Sequence, residues 1–222
     1  MIWLVVAFFF GFLNWLAIWF NWGKVIYVAK PATLFFLLLW SWQLSGWQGG
    51  LIWFGLALIF SLVGDIVLMF PPKYFLLGLA AFFFGHIFYI IGLNTPFQTP
   101  RLWMIAPLAS VILGYVWIMS TVLRGLRKNP SVRSLQVPVL IYGLVISGMV
   151  FSALCTIIKP DWSNQAALLV TSGSILFLFS DSILAYARFV SPMPRERFWV
   201  MISYHLAQFG LITGALLWAG VL

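Results

Sequence analysis

Eight runs of roughly twenty apolar residues follow one another along this chain, joined by connectors too short to fold alone. A helix needs about 20 residues to cross the hydrocarbon core of a bilayer. Only helices and closed barrels can cross it, because no water is there to satisfy free backbone groups. The runs lie near 2–20, 25–43, 50–70, 74–93, 102–122, 136–158, 165–187 and 198–220. The breaks carry turn residues, such as Asn21-Trp22-Gly23, Ser45-Gly46, Pro71-Pro72, Asn129-Pro130 and Lys159-Pro160-Asp161. A water-soluble surface needs about 25% charged residues, and this 222-residue chain has 7%. The expected fold is an all-α integral membrane protein, a bundle of about eight transmembrane helices forming a single domain over residues 1–222. Met1-Ile2-Trp3 has no basic flank, so the first run reads as a membrane helix rather than a cleaved leader. Trp19, Trp22, Trp40, Trp42, Trp103, Trp162, Trp199 and Trp218 stand near span ends, as an interfacial aromatic belt would.

The basic residues set an orientation. Connections 1, 3, 5 and 7 and their flanks hold Lys24, Lys30, Lys73, Arg124, Arg127, Lys128, Arg133, Arg188, Arg195 and Arg197, ten of the twelve. Only Arg101 and Lys159 lie in the even connections. Cytoplasmic loops carry the excess of Lys and Arg. The odd connections are therefore expected in the cytoplasm, with both termini on the non-cytoplasmic side of a bacterial inner membrane. This asymmetry accounts for the net charge of +8 without a nucleic-acid partner. Lys30 belongs inside a span, because a helix starting after it would cover only Pro31 to Gln43, about 20 Å of rise. It either snorkels to the headgroups or neutralises a buried acid.

Only four acids exist, and two of them, Asp65 and Asp181, fall within apolar runs. A carboxylate near mid-helix costs about 2.5–3.5 kcal/mol on insertion scales, so such residues face the bundle interior and are candidates for function. Counting back from Phe70 and Ala187 puts both about 8–9 Å below the cytoplasmic edge. Lys30, Asp65, Asp181, Tyr204, His205 and Gln208 are expected to meet in one polar pocket at that depth, with His86 and Tyr89 deeper. No comparable cluster is evident in the outer half. Two histidines and two aspartates are a possible donor set, but no tight His spacing occurs, so no metal is expected. There is no G-x-S-x-G for a serine nucleophile. The lone Cys155 is a packing residue, and Gly210-x-x-x-Gly214 is a helix contact. Arg188, Arg195 and Arg197 either mark topology or hold a lipid phosphate.

Gly64-Asp65-Ile66-Val67-Leu68 and Ser180-Asp181-Ser182-Ile183-Leu184 stand four spans apart, each followed by a Pro-containing basic connection and a His-bearing helix. This suggests a possible 4+4 internal repeat about an axis along the membrane normal.

Lys30-Pro31, Gly64-Asp65 with Val67-Leu68, Gly85-His86-Ile87-Phe88-Tyr89, Leu176-Phe177 with Ser180-Asp181-Ser182, and Tyr204 with Ala207-Gln208 resemble, in order, the YhhN family of membrane lysoplasmalogenases. The family more often has an aromatic residue where this chain has His205. The resemblance implies a hydrolase acting on the vinyl ether bond of a lysoplasmalogen, a membrane lysophospholipid, with no cofactor. The products would be a fatty aldehyde and glycerophosphoethanolamine or glycerophosphocholine. A vinyl ether must be protonated on carbon before water adds. Asp65 and Asp181 are the expected acid/base pair, with Lys30, His86, Tyr89, Ser182, Tyr204, His205 and Gln208 binding or orienting substrate. Two other classes suit paired intramembrane acids: a proton-coupled transporter, and a metal-dependent lipid amidase or esterase using His86 and His205.

Overall fold

The computed structural model describes residues 1–97 and 102–222; Arg101, one of the two basic residues assigned to the even connections, lies outside them. The described residues form eight α-helices: α1 (Ile2–Trp19), α2 (Gly23–Ser45), α3 (Leu51–Val67), α4 (Phe75–Leu93), α5 (Ile105–Lys128), α6 (Gln136–Thr156), α7 (Asn164–Phe189) and α8 (Glu196–Trp218). Seven of the apolar helical segments are long enough to cross a membrane, while α3, with 17 residues, is the short one. The protein is a multi-pass membrane bundle whose outer surface, with Phe8, Phe9, Phe12, Leu113, Val116 and Trp117 exposed, suits lipid as solvent. Span 3 ends at Val67 rather than 70, because the chain turns ahead of Pro71-Pro72. Helix α5 runs on to Lys128, carrying Arg124 and Arg127 on helix instead of loop.

Six helices close a ring in which α2 packs on α3, α3 on α4, α4 on α6, α6 on α7, α7 on α8, and α8 back on α2. A shift of four spans maps this order onto itself, as the proposed duplication requires. Helices α1 and α5 stand outside and depart from that symmetry: α1 lies against α2 and α8, whereas α5 lies against α6 and α7. The buried residues of α5 are Met119, Val122 and Leu126, all in its C-terminal half.

Glycines bring α7 and α8 together along an extensive seam. A methyl added at Gly214 would come within 2.8 Å of the Ala166 carbonyl oxygen, and one at Gly210 within 3.0 Å of that of Leu169. The seam is thus built on close backbone approach, as expected where no hydrophobic force draws helices together in lipid. Tryptophan follows the belt in part. Trp19, Trp22, Trp42 and Trp199 are exposed, but Trp40 and Trp162 are buried in the protein, the latter stacked on Trp218.

The even-connection end is more polar than the sequence suggests. Lys159 is buried there, and its ammonium donates to the Leu93 carbonyl oxygen at 2.7 Å. That carbonyl ends α4, so the cation meets the negative pole of the helix. Burial lowers the Lys159 pKa from its ordinary value, and the nearby Asp161 charge partly opposes this. Asn94 donates to the Ser152 hydroxyl at 2.9 Å in the same region.

Candidate active site

A cavity of about 680 Å³ sits inside the ring, lined by α2, α3, α4, α6, α7 and α8. Its exposed lining residues, including Tyr27, Phe70, Pro71, Arg188 and Arg197, all lie at the odd-connection end, so it opens there. Phe82, Ile146 and Leu178 line it further in. Five of the residues singled out from sequence face it: Lys30, Asp65, Asp181, Ser182 and Tyr204.

Helix α2 begins at Gly23 and runs through Pro31, so Lys30 enters about two turns in. The ammonium is 3.3 Å from Asp65 Oδ1 and 3.4 Å from the Asp65 carbonyl oxygen. Of the two readings open for Lys30, the structure has it paired with a buried acid. Asp65 stands two residues before the end of α3, nearer the helix end than the count from Phe70 suggests. Its Oδ2 accepts a hydrogen bond from the Tyr204 hydroxyl at 2.9 Å. Both carboxylate oxygens are therefore engaged, and the side chain is only 1% exposed. Tyr204 is held by edge-on contacts with Phe82 and Phe177.

Asp181 is placed differently. Its side chain is 17% exposed, and its Oδ2 accepts a hydrogen bond from the Tyr142 hydroxyl. Behind Tyr142 stands His86, whose Nε2 is 2.9 Å from the same hydroxyl and 3.6 Å from Asp181 Oδ2. The His86 ring packs edge-on against Phe177, 4.6 Å between centroids. Ser182 lines the cavity, with its hydroxyl turned back to the Leu178 carbonyl at 2.6 Å.

The expectation of one pocket holding Lys30, Asp65, Asp181, Tyr204, His205 and Gln208 is corrected for His205 and Gln208, and His86 and Tyr89, expected deeper, do not line it either. His205 follows Tyr204 directly, and one helical step turns it about 100° away. It faces α1, where its Nδ1 accepts from Trp15 Nε1 at 3.1 Å, and it is wholly buried. Gln208 and Tyr89 are bonded to each other, the tyrosine hydroxyl donating to Gln208 Oε1 at 2.5 Å, with neither on the cavity. His86 stands behind the wall and reaches the cavity only through Tyr142 and Asp181. Since His86 and His205 serve opposite sides of the bundle, they do not form a common donor set. Among the described residues no three His, Cys, Asp or Glu side chains group to hold a metal ion. Arg188 lies 3.7 Å over the Phe75 ring, whereas Arg195 covers Trp19 and does not line the cavity.

Tyr142 is the residue that sequence reading missed. Its signal was its place: a hydroxyl seven residues into span 6, well inside the level where interfacial aromatics sit. Arranged this way, the cavity sets Asp65, clamped by a cation, and Asp181, carrying an uncommitted oxygen, among apolar walls, while Glu196 lines it from the start of α8.

The model of the YhhN family matches residues 25–215. Among curated proteins, lysoplasmalogenase TMEM86B of Mus musculus is 31% identical over 88% of this chain and 76% of its own length. Lysoplasmalogenase TMEM86B of Rattus norvegicus is 29% identical over 88% of this chain and 74% of its own. The Homo sapiens protein of that name is 29% identical over 72% of this chain and 62% of its own. No solved structure matches the chain.

Proposed function

The chain belongs to the YhhN family, and on that footing we propose that it is a lysoplasmalogenase-like hydrolase. It cleaves the vinyl ether bond of a lysoplasmalogen to a fatty aldehyde and glycerophosphoethanolamine or glycerophosphocholine. The observation that carries this reading is that Asp65 and Asp181, from helices far apart in sequence, face one cavity open at the headgroup end of the bundle.

The chemistry follows from the bond. Protonation of the vinyl carbon produces an oxocarbenium ion, which needs a proton donor on one side and a fixed negative charge nearby. Water then adds, and the hemiacetal collapses to aldehyde and alcohol. Paired carboxylates in glycosidases meet the same demand around the same kind of cation. Low local polarity strengthens their action, because charge inside an apolar site is poorly screened. Arg188 and Arg197 stand at the mouth, where a lipid phosphate would lie, and Arg suits bidentate contact with phosphate oxygens. The glycerol then hangs between the mouth and the acids, with the ether oxygen nearest Asp65 and Asp181.

The basic connections support an orientation in which this mouth faces the cytoplasm. Substrate would then enter from the inner leaflet. The cavity is confined to one end of the bundle, which favours a lipid-processing enzyme over a carrier needing a route through.

The test is aldehyde release by purified protein from a lysoplasmenyl lipid, set against a matched lyso-acyl lipid and read by mass spectrometry. Aldehyde is expected from the lysoplasmenyl substrate alone. Folded Asp65→Asn and Asp181→Asn should each lose at least about 100-fold, the usual worth of positioned acid–base groups. Near wild-type turnover by either variant would remove the pair mechanism.

A further inference from the structure

The two acids are not equivalent, and their surroundings assign the roles. Resting on the hydrolase reading above, we propose that Asp181 is the proton donor and Asp65 the fixed anion, with His86 and Tyr142 acting as a positioning chain that presents the mobile proton of Asp181 to the cavity.

Tyr142 has one hydroxyl hydrogen, and it is directed at Asp181 Oδ2. His86 Nε2 faces the same hydroxyl oxygen at 2.9 Å, so it satisfies that contact by donating, which makes His86 the Nε2–H tautomer. The other ring nitrogen, Nδ1, is buried without a partner, as suits a bare acceptor more than a stranded N–H. The donors therefore run in one direction, from His86 to Tyr142 to Asp181. Oδ2 stays an acceptor whether or not the carboxyl is protonated, and the proton must ride on Oδ1. Asp181 is also the more open of the two acids, at 17% exposed against 1% for Asp65.

Asp65 has no comparable freedom. Lys30 stands against Oδ1 and the Tyr204 hydroxyl donates to Oδ2, an arrangement that matches an ionised carboxylate. The titratable and charged groups that share the cavity with Asp181 are Tyr27 and Lys30 from α2, Asp65 from α3, Tyr142 from α6, Arg188 from α7, and Glu196, Arg197 and Tyr204 from α8, with His86 of α4 behind Tyr142.

The vinyl π pair takes the proton from Asp181 Oδ1 to form a C–H bond. Positive charge spreads over the adjacent carbon and the ether oxygen, opposite Asp65. A water oxygen bonds to that carbon and returns one proton to Asp181. The hemiacetal hydroxyl then passes its proton to the glycerol oxygen as the C–O bond breaks. One water is consumed, and both carboxyl groups end as they began.

The experiment is the pH–rate profile of aldehyde release in detergent micelles for wild type, Tyr142→Phe, His86→Gln and His86→Leu. An acid must be protonated to act, so activity falls as pH rises through the pKa of the donor. Loss of a hydrogen bond that the ionised carboxylate accepts disfavours that form relative to the protonated one. Tyr142→Phe is expected to move the alkaline limb upward by about one pH unit while lowering the maximal rate about 10-fold or more. His86→Leu should shift it in the same direction, and His86→Gln, which keeps a donor, should restore the wild-type limb. Asp65→Asn should lower the rate while an alkaline limb persists. An unmoved limb in both Tyr142→Phe and His86→Leu, or loss of the alkaline limb in Asp65→Asn, overturns the assignment. If Tyr142→Phe does not fold, the two His86 variants decide it alone. Wild-type protein that releases no aldehyde would instead sink the hydrolase reading and this assignment with it.

Discussion

Lys30 touches Asp65 twice, through a carboxylate oxygen and through the main-chain carbonyl. The first contact neutralises a buried charge, and the second places a cation at the C-terminal end of α3, where carbonyls lack helical partners. Removing one member of a buried pair leaves the other uncompensated and costs about 3–5 kcal/mol. Lys30→Met should therefore lower stability by about that much in detergent unfolding experiments. The double variant Lys30→Met/Asp65→Asn should recover most of it, yet release no aldehyde. A single variant as stable as wild type would mean that the ion pair contributes nothing to the fold. Sequence could say that Lys30 lay inside a span and that an acid was one of two fates for it. Only the rotation of α2 against α3 chose between them.

Helices α7 and α8 carry Asp181 and Tyr204 into the cavity, and glycines set the distance between them. A methyl at Gly214 would meet backbone, which cannot move aside as a side chain can. Gly214→Ala is expected to cost about 1–3 kcal/mol, the usual penalty of overpacking, and to reduce turnover by spreading the site. Gly114, on the lipid-facing part of α5, has nothing within 4 Å of an added methyl. Gly114→Ala should be neutral or stabilise by up to about 1 kcal/mol through helix propensity. Equal effects at the two positions, measured by unfolding in mixed detergent micelles, would contradict this account of the seam.

The whole bundle presents a basic end with a cavity mouth and an opposite end closed around Lys159. The proposed orientation makes the two ends chemically distinguishable in intact cells. With Cys155, the chain's one cysteine, replaced by Ala, single cysteines at Gln48 and Lys73 report on connections 2 and 3. A membrane-impermeant maleimide added outside should label Gln48→Cys directly and Lys73→Cys only after permeabilisation. The reverse pattern would turn the molecule over and feed the cavity from the other leaflet.

Sequence by itself determined that the chain is a membrane bundle of about eight helices, which way its charges bias it, and that Asp65 and Asp181 are costly enough to need a purpose. Those conclusions follow from composition and spacing, and a bilayer reads both directly. It could not determine how each helix is rotated about its own axis. These helices are apolar all round, so no hydrophobic stripe marks an inner face, and rotation is decided by packing. That is why Tyr204 faced the cavity while His205, one residue on, turned to Trp15. Tyr142 came to stand beside Asp181 for the same reason, and contacts between helices distant in the chain exist only once the ring has closed.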